Sequence, residues 1–160
     1  INCEGTKRGV ERIKDWLALG RFDVIHFNFG LHDLKHVDPE SGRNSNNPDH
    51  PQQSNLREYE RNLRLIVAQL LKSGSKLIFA TTTPFPDKPG GPLRRADQAA
   101  KYNAVALRIM KEHNISVNDL HSFTLPQMDK LLLPNNVHFR PAANVKLALK
   151  VADAIRAALK

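Results

Sequence analysis

A histidine near the end of the chain has the first recognisable catalytic chemistry. His138 lies between Pro134 and Pro141, a pattern that predicts a loop just before a helix. A histidine in such a loop can act as a general base, because its ordinary pKa is about 6.5. A histidine that only hydrogen-bonds its own loop explains this position equally well.

A second polar cluster closes a short apolar segment. Residues 22–29 (FDVIHFNF) have strand character, and Gly30, Leu31, His32 and Asp33 follow them directly. In this turn His32 can donate a hydrogen bond to a developing oxyanion, and Asp33 can hold the loop by accepting N–H bonds. A plain turn capped by Asp33 explains the same residues.

The remaining histidines and carboxylates lack the spacing of a metal site. The sequence has no HExxH and no CxxC pattern, and it has neither GxxxxGK[ST] nor GxGxxG. We therefore expect no metal site and find no support for nucleotide phosphate binding.

Strand-like and helical segments alternate along the chain. Strands are predicted at 22–29, 76–82 and 115–120, and helical apolar periodicity appears at about 10–17, 56–70, 96–113 and 141–159. This alternation predicts a parallel sheet with helices on both faces. In such sheets chemistry lies at the carboxyl ends of the strands, where the cluster at 30–33 falls. A further polar cluster, 135–138, precedes the last helix.

Local signals set the predicted helix ends and faces. Thr6 is a possible N-cap of the first helix, and Asn55 with Glu58 resembles a capping box. Pro141 suits the first position of the last helix. The residues predicted to share the apolar face of that helix are Val145, Ala148, Ala152, Ile155 and Leu159.

The length predicts one domain, over residues 1–160. The polar, Pro- and Asn-rich stretch 36–54 reads as a surface insertion after the first strand. Three strands are few for such a sheet, and residues 1–3 look like the tail of another strand. We therefore expect at least one further strand, which this chain lacks, upstream of Ile1.

The composition limits which kinds of partner the protein is expected to bind. The net charge of +8 raises nucleic acid as a partner, but the basic residues are scattered and aromatic residues are only 6%. A solvated basic surface is therefore preferred to a nucleic-acid interface. The single cysteine, Cys3, excludes an internal disulfide, and no apolar run reaches the roughly 18 residues of a membrane span.

The predicted strands and helices and the polar clusters between them, taken in chain order, resemble an SGNH (GDSL-type) hydrolase from about Asn2 to Lys160. The turn Gly30-Leu31-His32-Asp33 is similar to that family's third block, Gly-x-Asn-Asp, and Asn135-Asn136-Val137-His138 is similar to its fifth block, Asp-x-x-His. Residues 2–9 (NCEGTKRG) look like the second block, with Gly5 as the likelier match to its glycine.

The resemblance implies a three-layer α/β/α fold of flavodoxin-like layout, and hydrolysis of small-molecule or carbohydrate esters without a cofactor. In that family a serine attacks the ester, a histidine activates it, and an aspartate three residues earlier orients the histidine. When these family roles are transferred to the matching positions of this sequence, His138 is the general base and Asn135 takes the aspartate's place. His32 stands at the oxyanion asparagine, and Gly5 offers a backbone donor.

The sequence departs from the family pattern at three points. It has no Gly-Asp-Ser block, so the serine is expected upstream of Ile1. His32 replaces asparagine, and Asn135 replaces aspartate. The changes at His32 and Asn135 keep one rival open, a degenerate domain of the same fold that binds acylated sugar or protein without turnover. A second rival, a basic nucleic-acid-binding domain, rests on the net charge alone.

Overall fold

The computed structural model describes residues 3–87 and 89–160. The strands are β1 (Val24–Phe27), β2 (Lys76–Ala80) and β3 (Ser116–Asn118). The helices are α1 (Thr6–Leu17), α2 (Leu56–Leu71), α3 (Ala96–Glu112), α4 (Leu120–Thr124), α5 (Met128–Leu131) and α6 (Pro141–Leu159), with a 3-10 turn at Leu125–Gln127.

The three strands form one parallel sheet in the order β1-β2-β3. The predicted α/β fold with a parallel sheet is therefore confirmed. Each strand is shorter than its apolar pattern predicted, because side chains replace strand partners at the ends. Beyond β2, the amide of Asn103 accepts from Thr82 N–H and donates to Thr82 O, both at 2.8 Å.

The core lies between the sheet and the helices that cross over it. Helices α1, α2 and α3 pack in sequence, and α6 contacts all three strands. Phe27 and Phe79 meet edge to face, with ring centroids 5.4 Å apart. Leu63, Ile66 and other fully buried residues of α2 belong to the same cluster, so α2 is the helix most completely enclosed by the fold.

Two of the predicted helix starts are confirmed and one is wrong. Asn55 and Glu58 form the expected capping box, and Pro141 is the first residue of α6. The N-cap of α1 is Gly5, and Thr6 is its first helical residue. The acceptor that a capping side chain would supply comes instead from Asp33, 27 residues away in sequence.

The predicted apolar face of α6 is right only in part: Ala152 and Ile155 are partly buried, whereas Val145, Ala148 and Leu159 are exposed. Val145 is 61% exposed and Leu159 is 56% exposed, whereas Ala143 is the residue that the helix buries. The partly buried positions include Leu147 and Val151, which lie one residue away from predicted positions. One residue corresponds to about 100° around a helix, so a sequence with apolar residues on most sides did not fix the face.

The segment 36–54 is tied to the loop that follows β2. Bridges join His36 to Gln52 and Val37 to Asn44. Backbone hydrogen bonds run from His36 N–H to Leu93 O at 3.0 Å and from Leu93 N–H to Ser45 O at 2.8 Å. The segment therefore rests on residues 84–95 rather than standing apart.

Candidate active site

The turn after β1 is built around a close approach to β2. Gly30 has a positive φ of 147°, and a Cβ placed on it would lie 2.3 Å from Thr82 Oγ1. That hydroxyl donates to Phe29 O at 3.3 Å, and Tyr59 Oη donates to the same carbonyl at 2.9 Å. A side chain at position 30 would therefore separate the two strand ends.

Asp33 is completely buried and links this turn to the start of α1. Its Oδ1 accepts from Thr6 N–H at 2.8 Å and from the Thr6 hydroxyl, while Asn62 Nδ2 donates to that hydroxyl at 3.3 Å. Its Oδ2 has no hydrogen-bond partner among residues 3–87 and 89–160. Burial raises the pKa of Asp33, and the two hydrogen bonds from Thr6 oppose that rise.

Gly5 lies against Asp33, at the N-terminal end of α1. A Cβ on Gly5 would be 2.5 Å from Gln53 Nε2 and 3.2 Å from Asp33 Oδ1, so the backbone approaches closely because no side chain intervenes. Asp33 thus links Gly5, at the N-terminal end of α1, to the turn that begins at Gly30.

The ring of His32 lies in the turn after β1 and has no hydrogen-bond partner among the described residues. The His32 side chain is half-buried. Burial lowers the pKa of His32, the charges of Lys35 and Arg94 lower it further, and Glu4 opposes them. The neutral imidazole is therefore favoured, and it has one N–H available to donate.

A cavity of about 540 Å³ begins at His32 and extends along β1 and α1. Its polar end contains Glu4, Asn28 and His32, and its apolar end is formed mainly by Ile13, Trp16, Leu17, Phe22 and Leu70. The cavity follows the edge of β1 that no described strand pairs.

His138 lies in an exposed loop and is held by a neighbour. Its Nδ1 is 2.8 Å from Asn136 Oδ1, and its backbone N–H donates to the same oxygen at 3.0 Å. An amide oxygen only accepts, so this contact assigns the proton to Nδ1 and leaves the lone pair of Nε2 outward. That tautomer is the one a general base needs.

Asn135 does not contact that ring. It has a left-handed φ of 49°, and its carbonyl accepts from Gly90 N–H at 2.6 Å. Its side chain makes no hydrogen bond within the part of the chain that the structure describes. The residue that touches His138 is therefore Asn136, one position later than the sequence-based assignment.

Two carboxylates near the strand ends are already engaged elsewhere. Asp119 Oδ1 accepts from Thr81 Oγ1 at 2.9 Å and from Ser122 N–H at 3.1 Å. Burial raises the pKa of Asp119, but these hydrogen bonds outweigh it and leave the pKa below its usual value. Neither Asp119 nor Asp33 hydrogen-bonds to the His138 ring.

Comparison with known proteins identifies the fold and the family. Residues 2–145 match the model of the GDSL-like lipase/acylhydrolase family. The chain belongs to that family. Its membership confirms the predicted class of enzyme, an ester hydrolase. A search of curated proteins gives no match.

Solved structures of similar fold include several esterases. An acetyl xylan esterase is 16% identical with a TM-score of 0.74, over 97% of this chain and 78% of that one. A lipase/acylhydrolase from Enterococcus faecalis is 19% identical with a TM-score of 0.73, over 96% and 71% of the two chains. A variant of an acetyl-xylooligosaccharide esterase from Geobacillus stearmophilus is 20% identical with a TM-score of 0.69, over 92% and 65%.

Within this GDSL-like domain, the loop after β2 contacts both the turn after β1 and the loop before α6. Gly90 contacts Asn135 through the backbone, and Arg94 Nε donates to Leu31 O at 3.1 Å. Neither Arg94 nor Asn136 was singled out from the sequence. The Pro- and Gly-rich run after β2 signalled a loop, but no spacing pattern indicated what the loop would touch.

Among residues 3–87 and 89–160, no three His, Cys, Asp or Glu side chains are grouped so as to hold a metal ion. None of the described helices combines the length and the apolar character that crossing a membrane requires.

Proposed function

We propose that the protein hydrolyses carboxylic esters by serine–histidine catalysis, with His138 as the general base. The observation that carries this proposal is the His138 ring, whose Nδ1 faces an amide oxygen and whose Nε2 is left for a nucleophile. Among residues 3–87 and 89–160 no serine hydrogen-bonds to that ring, and we place the nucleophile upstream of Ile1.

The oxyanion that forms during attack is assigned to the turn after β1. We assign the donor role there to His32, whose ring makes no hydrogen bond to a described residue, and the role of a second donor to the Gly5 backbone N–H. Gly30 and Asp33 support both by fixing the turn and the start of α1. Asn135 occupies the family's aspartate position and is the predicted orienting residue, although Asn136 makes the contact.

Acetylated carbohydrate is the substrate class we propose. Similar folds are named as an acetyl xylan esterase and an acetyl-xylooligosaccharide esterase.

The test compares the natural protein that carries this chain with its His138→Ala and His113→Ala variants. His113 ends α3 and takes no part in the proposed site, so it serves as the matched control. We expect release of acetate from p-nitrophenyl acetate and from acetylated xylooligosaccharide, lost in His138→Ala and kept in His113→Ala. No hydrolysis of any acyl ester by the unaltered protein would overturn the proposal.

The position of the nucleophile has its own test. A fluorophosphonate probe should label one serine of the natural protein and leave residues 1–160 unlabelled. Stoichiometric labelling of a serine within residues 1–160 would show that the nucleophile lies inside this chain.

Binding without turnover is the second candidate. His32 and Asn135 replace the family's asparagine and aspartate, and neither Asp33 nor Asp119 reaches His138. If this candidate is correct, acetylated xylooligosaccharide binds and is recovered intact.

A further inference from the structure

Two buried hydroxyl groups meet at the carbonyl that precedes the turn carrying His32. Tyr59, on α2, donates to Phe29 O at 2.9 Å, and Thr82, just beyond β2, donates to the same oxygen at 3.3 Å. Tyr59 is completely buried, and Thr82 is 3% exposed. A carbonyl oxygen has two lone pairs, so these two donors, which come from different parts of the fold, use its full capacity to accept.

Core packing alone requires neither hydroxyl. The Tyr59 ring belongs to the apolar core, with its centroid 4.8 Å from that of Tyr102, and the ring of a phenylalanine would pack there as well. Burying a hydroxyl costs free energy unless it finds a hydrogen-bond partner. Since both hydroxyls donate to Phe29 O, holding that carbonyl accounts for their presence, whereas filling the core does not.

Gly30 explains why the turn needs support from outside. A Cβ at this position would approach Thr82 Oγ1 to 2.3 Å, so only glycine fits. Glycine, however, leaves the backbone free to adopt many conformations. The direction in which the chain leaves β1 is therefore set by contacts on either side of Gly30. These are the two hydroxyls at Phe29 O and the hydrogen bond from Leu34 N–H to Gly30 O, 3.0 Å long, which closes the turn.

The two donors are themselves held in place. The amide of Asn103, on α3, fixes the backbone of Thr82 through two hydrogen bonds of 2.8 Å, and Asn28 Nδ2 donates to the Thr82 hydroxyl at 3.3 Å. Tyr59 lies on the buried face of α2. The Phe29 carbonyl is thus fixed relative to α2, to α3 and to the end of β2.

We propose that Tyr59 and Thr82 are positioning residues for ester hydrolysis. Their hydroxyls act through the Phe29 carbonyl to hold the turn in one conformation, so that the His32 ring is already in place when negative charge develops on the substrate oxygen. A donor that is preorganised in this way stabilises the transition state more than one that must first be ordered. The inference rests on the proposed function, because it takes His32 as the oxyanion donor.

The kinetic test removes one hydroxyl at a time from the natural protein. Tyr59→Phe and Thr82→Val should each lower kcat for p-nitrophenyl acetate by about tenfold or more and change KM less than about twofold, because a contact with the oxyanion exists only in the transition state. Thr82→Ser keeps the hydroxyl and should stay within about twofold of the unaltered protein. A loss of kcat in Thr82→Ser as large as that in Thr82→Val would overturn the inference.

Thr81→Val is the matched control. Thr81 is the neighbour of Thr82 and is just as buried, at 2% exposed. Its hydroxyl donates to Asp119 Oδ1 at 2.9 Å and accepts from His121 N–H at 2.8 Å, so its hydrogen bonds lead to the start of α4 and not to the turn after β1. We expect kcat of Thr81→Val to stay within about twofold of the unaltered protein. Equal losses of kcat in Thr81→Val and Thr82→Val would show a general effect of removing a buried hydroxyl and would refute positioning.

A second measurement does not depend on turnover. Three-bond NMR couplings of His32 report the populations of its χ1 rotamers. We expect one dominant rotamer in the unaltered protein and in Thr81→Val, and a mixture in Tyr59→Phe and in Thr82→Val. A mixture in the unaltered protein, or one dominant rotamer in all four proteins, would contradict the inference.

The two proposals fail separately. If the unaltered protein hydrolyses no acyl ester, the proposed function fails, and the rotamers of His32 still decide whether the two hydroxyls position its ring. If the protein hydrolyses acetyl esters and Thr82→Val behaves like Thr81→Val, the inference alone fails.

Discussion

The two halves of the candidate site differ in how they are held. The turn after β1 is buried and fixed from several directions, by Gly30 against Thr82 and by Asp33 against α1. The loop before α6 is exposed, and a neighbouring amide alone orients its histidine. The difference predicts that the proposed oxyanion half is rigid before substrate arrives, whereas the proposed base depends on local contacts that a single substitution can remove.

The largest expected effect is on the exposed half. His138→Ala should lower kcat by at least about 10³-fold, because the serine loses its base. The free energy of unfolding should change by less than about 0.5 kcal/mol, since the side chain is exposed. Steady-state kinetics and urea unfolding measure the two quantities. Near-normal kcat in a folded variant would exclude His138 from the mechanism.

The buried half should respond in the opposite way. Gly30→Ala forces a Cβ against Thr82 Oγ1 and strains a positive φ, so we expect the free energy of unfolding to fall by about 2–3 kcal/mol. Gly42→Ala is the matched control, since φ there is +68° and no atom lies within 4 Å of the added Cβ. Its loss should be about 1 kcal/mol. Similar losses in urea unfolding would mean that the close approach to Thr82 adds nothing.

A finer comparison lies within the exposed loop. Asn136→Ala should lower kcat/KM by about tenfold and increase the population of the other His138 tautomer, because Asn136 Oδ1 fixes the Nδ1 proton. Asn135→Ala should do less, and ¹⁵N NMR of the imidazole reads the tautomer directly. If Asn135→Ala has the larger effect on both quantities, the orienting role belongs to the family's aspartate position after all.

The smallest effect concerns the pH dependence of stability. Asp33 has a folded pKa above its unfolded value of about 3.9, so the folded state binds more protons between the two. The free energy of unfolding should therefore fall as pH rises from about 4 through the folded pKa, and Asp33→Asn should remove that fall.

Asp119 gives the opposite sign and is the control. Its folded pKa is lowered, so its contribution is present above about 4 and is lost as pH falls. Asp119→Asn should flatten that acid-side loss. Urea midpoints measured across pH report both variants, and equal slopes in Asp33→Asn and the unaltered protein would contradict the burial argument.

Local patterns in the sequence predicted the helices and strands. Contacts between residues that are far apart in the sequence determined a helix cap and the partners of the loops. The capping box at Asn55 and Glu58 was readable because both partners lie in four consecutive residues. The cap of α1 was not, because its acceptor is Asp33. The motifs indicated His32 and His138, but Arg94 and Asn136 became visible only when the loops were folded.

Trp16 is an intrinsic fluorescence probe of the cavity that extends from His32 along β1 and α1. It is the single tryptophan of the chain, and it lines the cavity that begins at His32. Its indole lies on α1, the helix whose first turn is bonded to Asp33. Indole emission moves to shorter wavelength when water around the ring is replaced by apolar groups. The intrinsic fluorescence of the protein therefore reports, without any label, whether the edge of β1 along this cavity is covered.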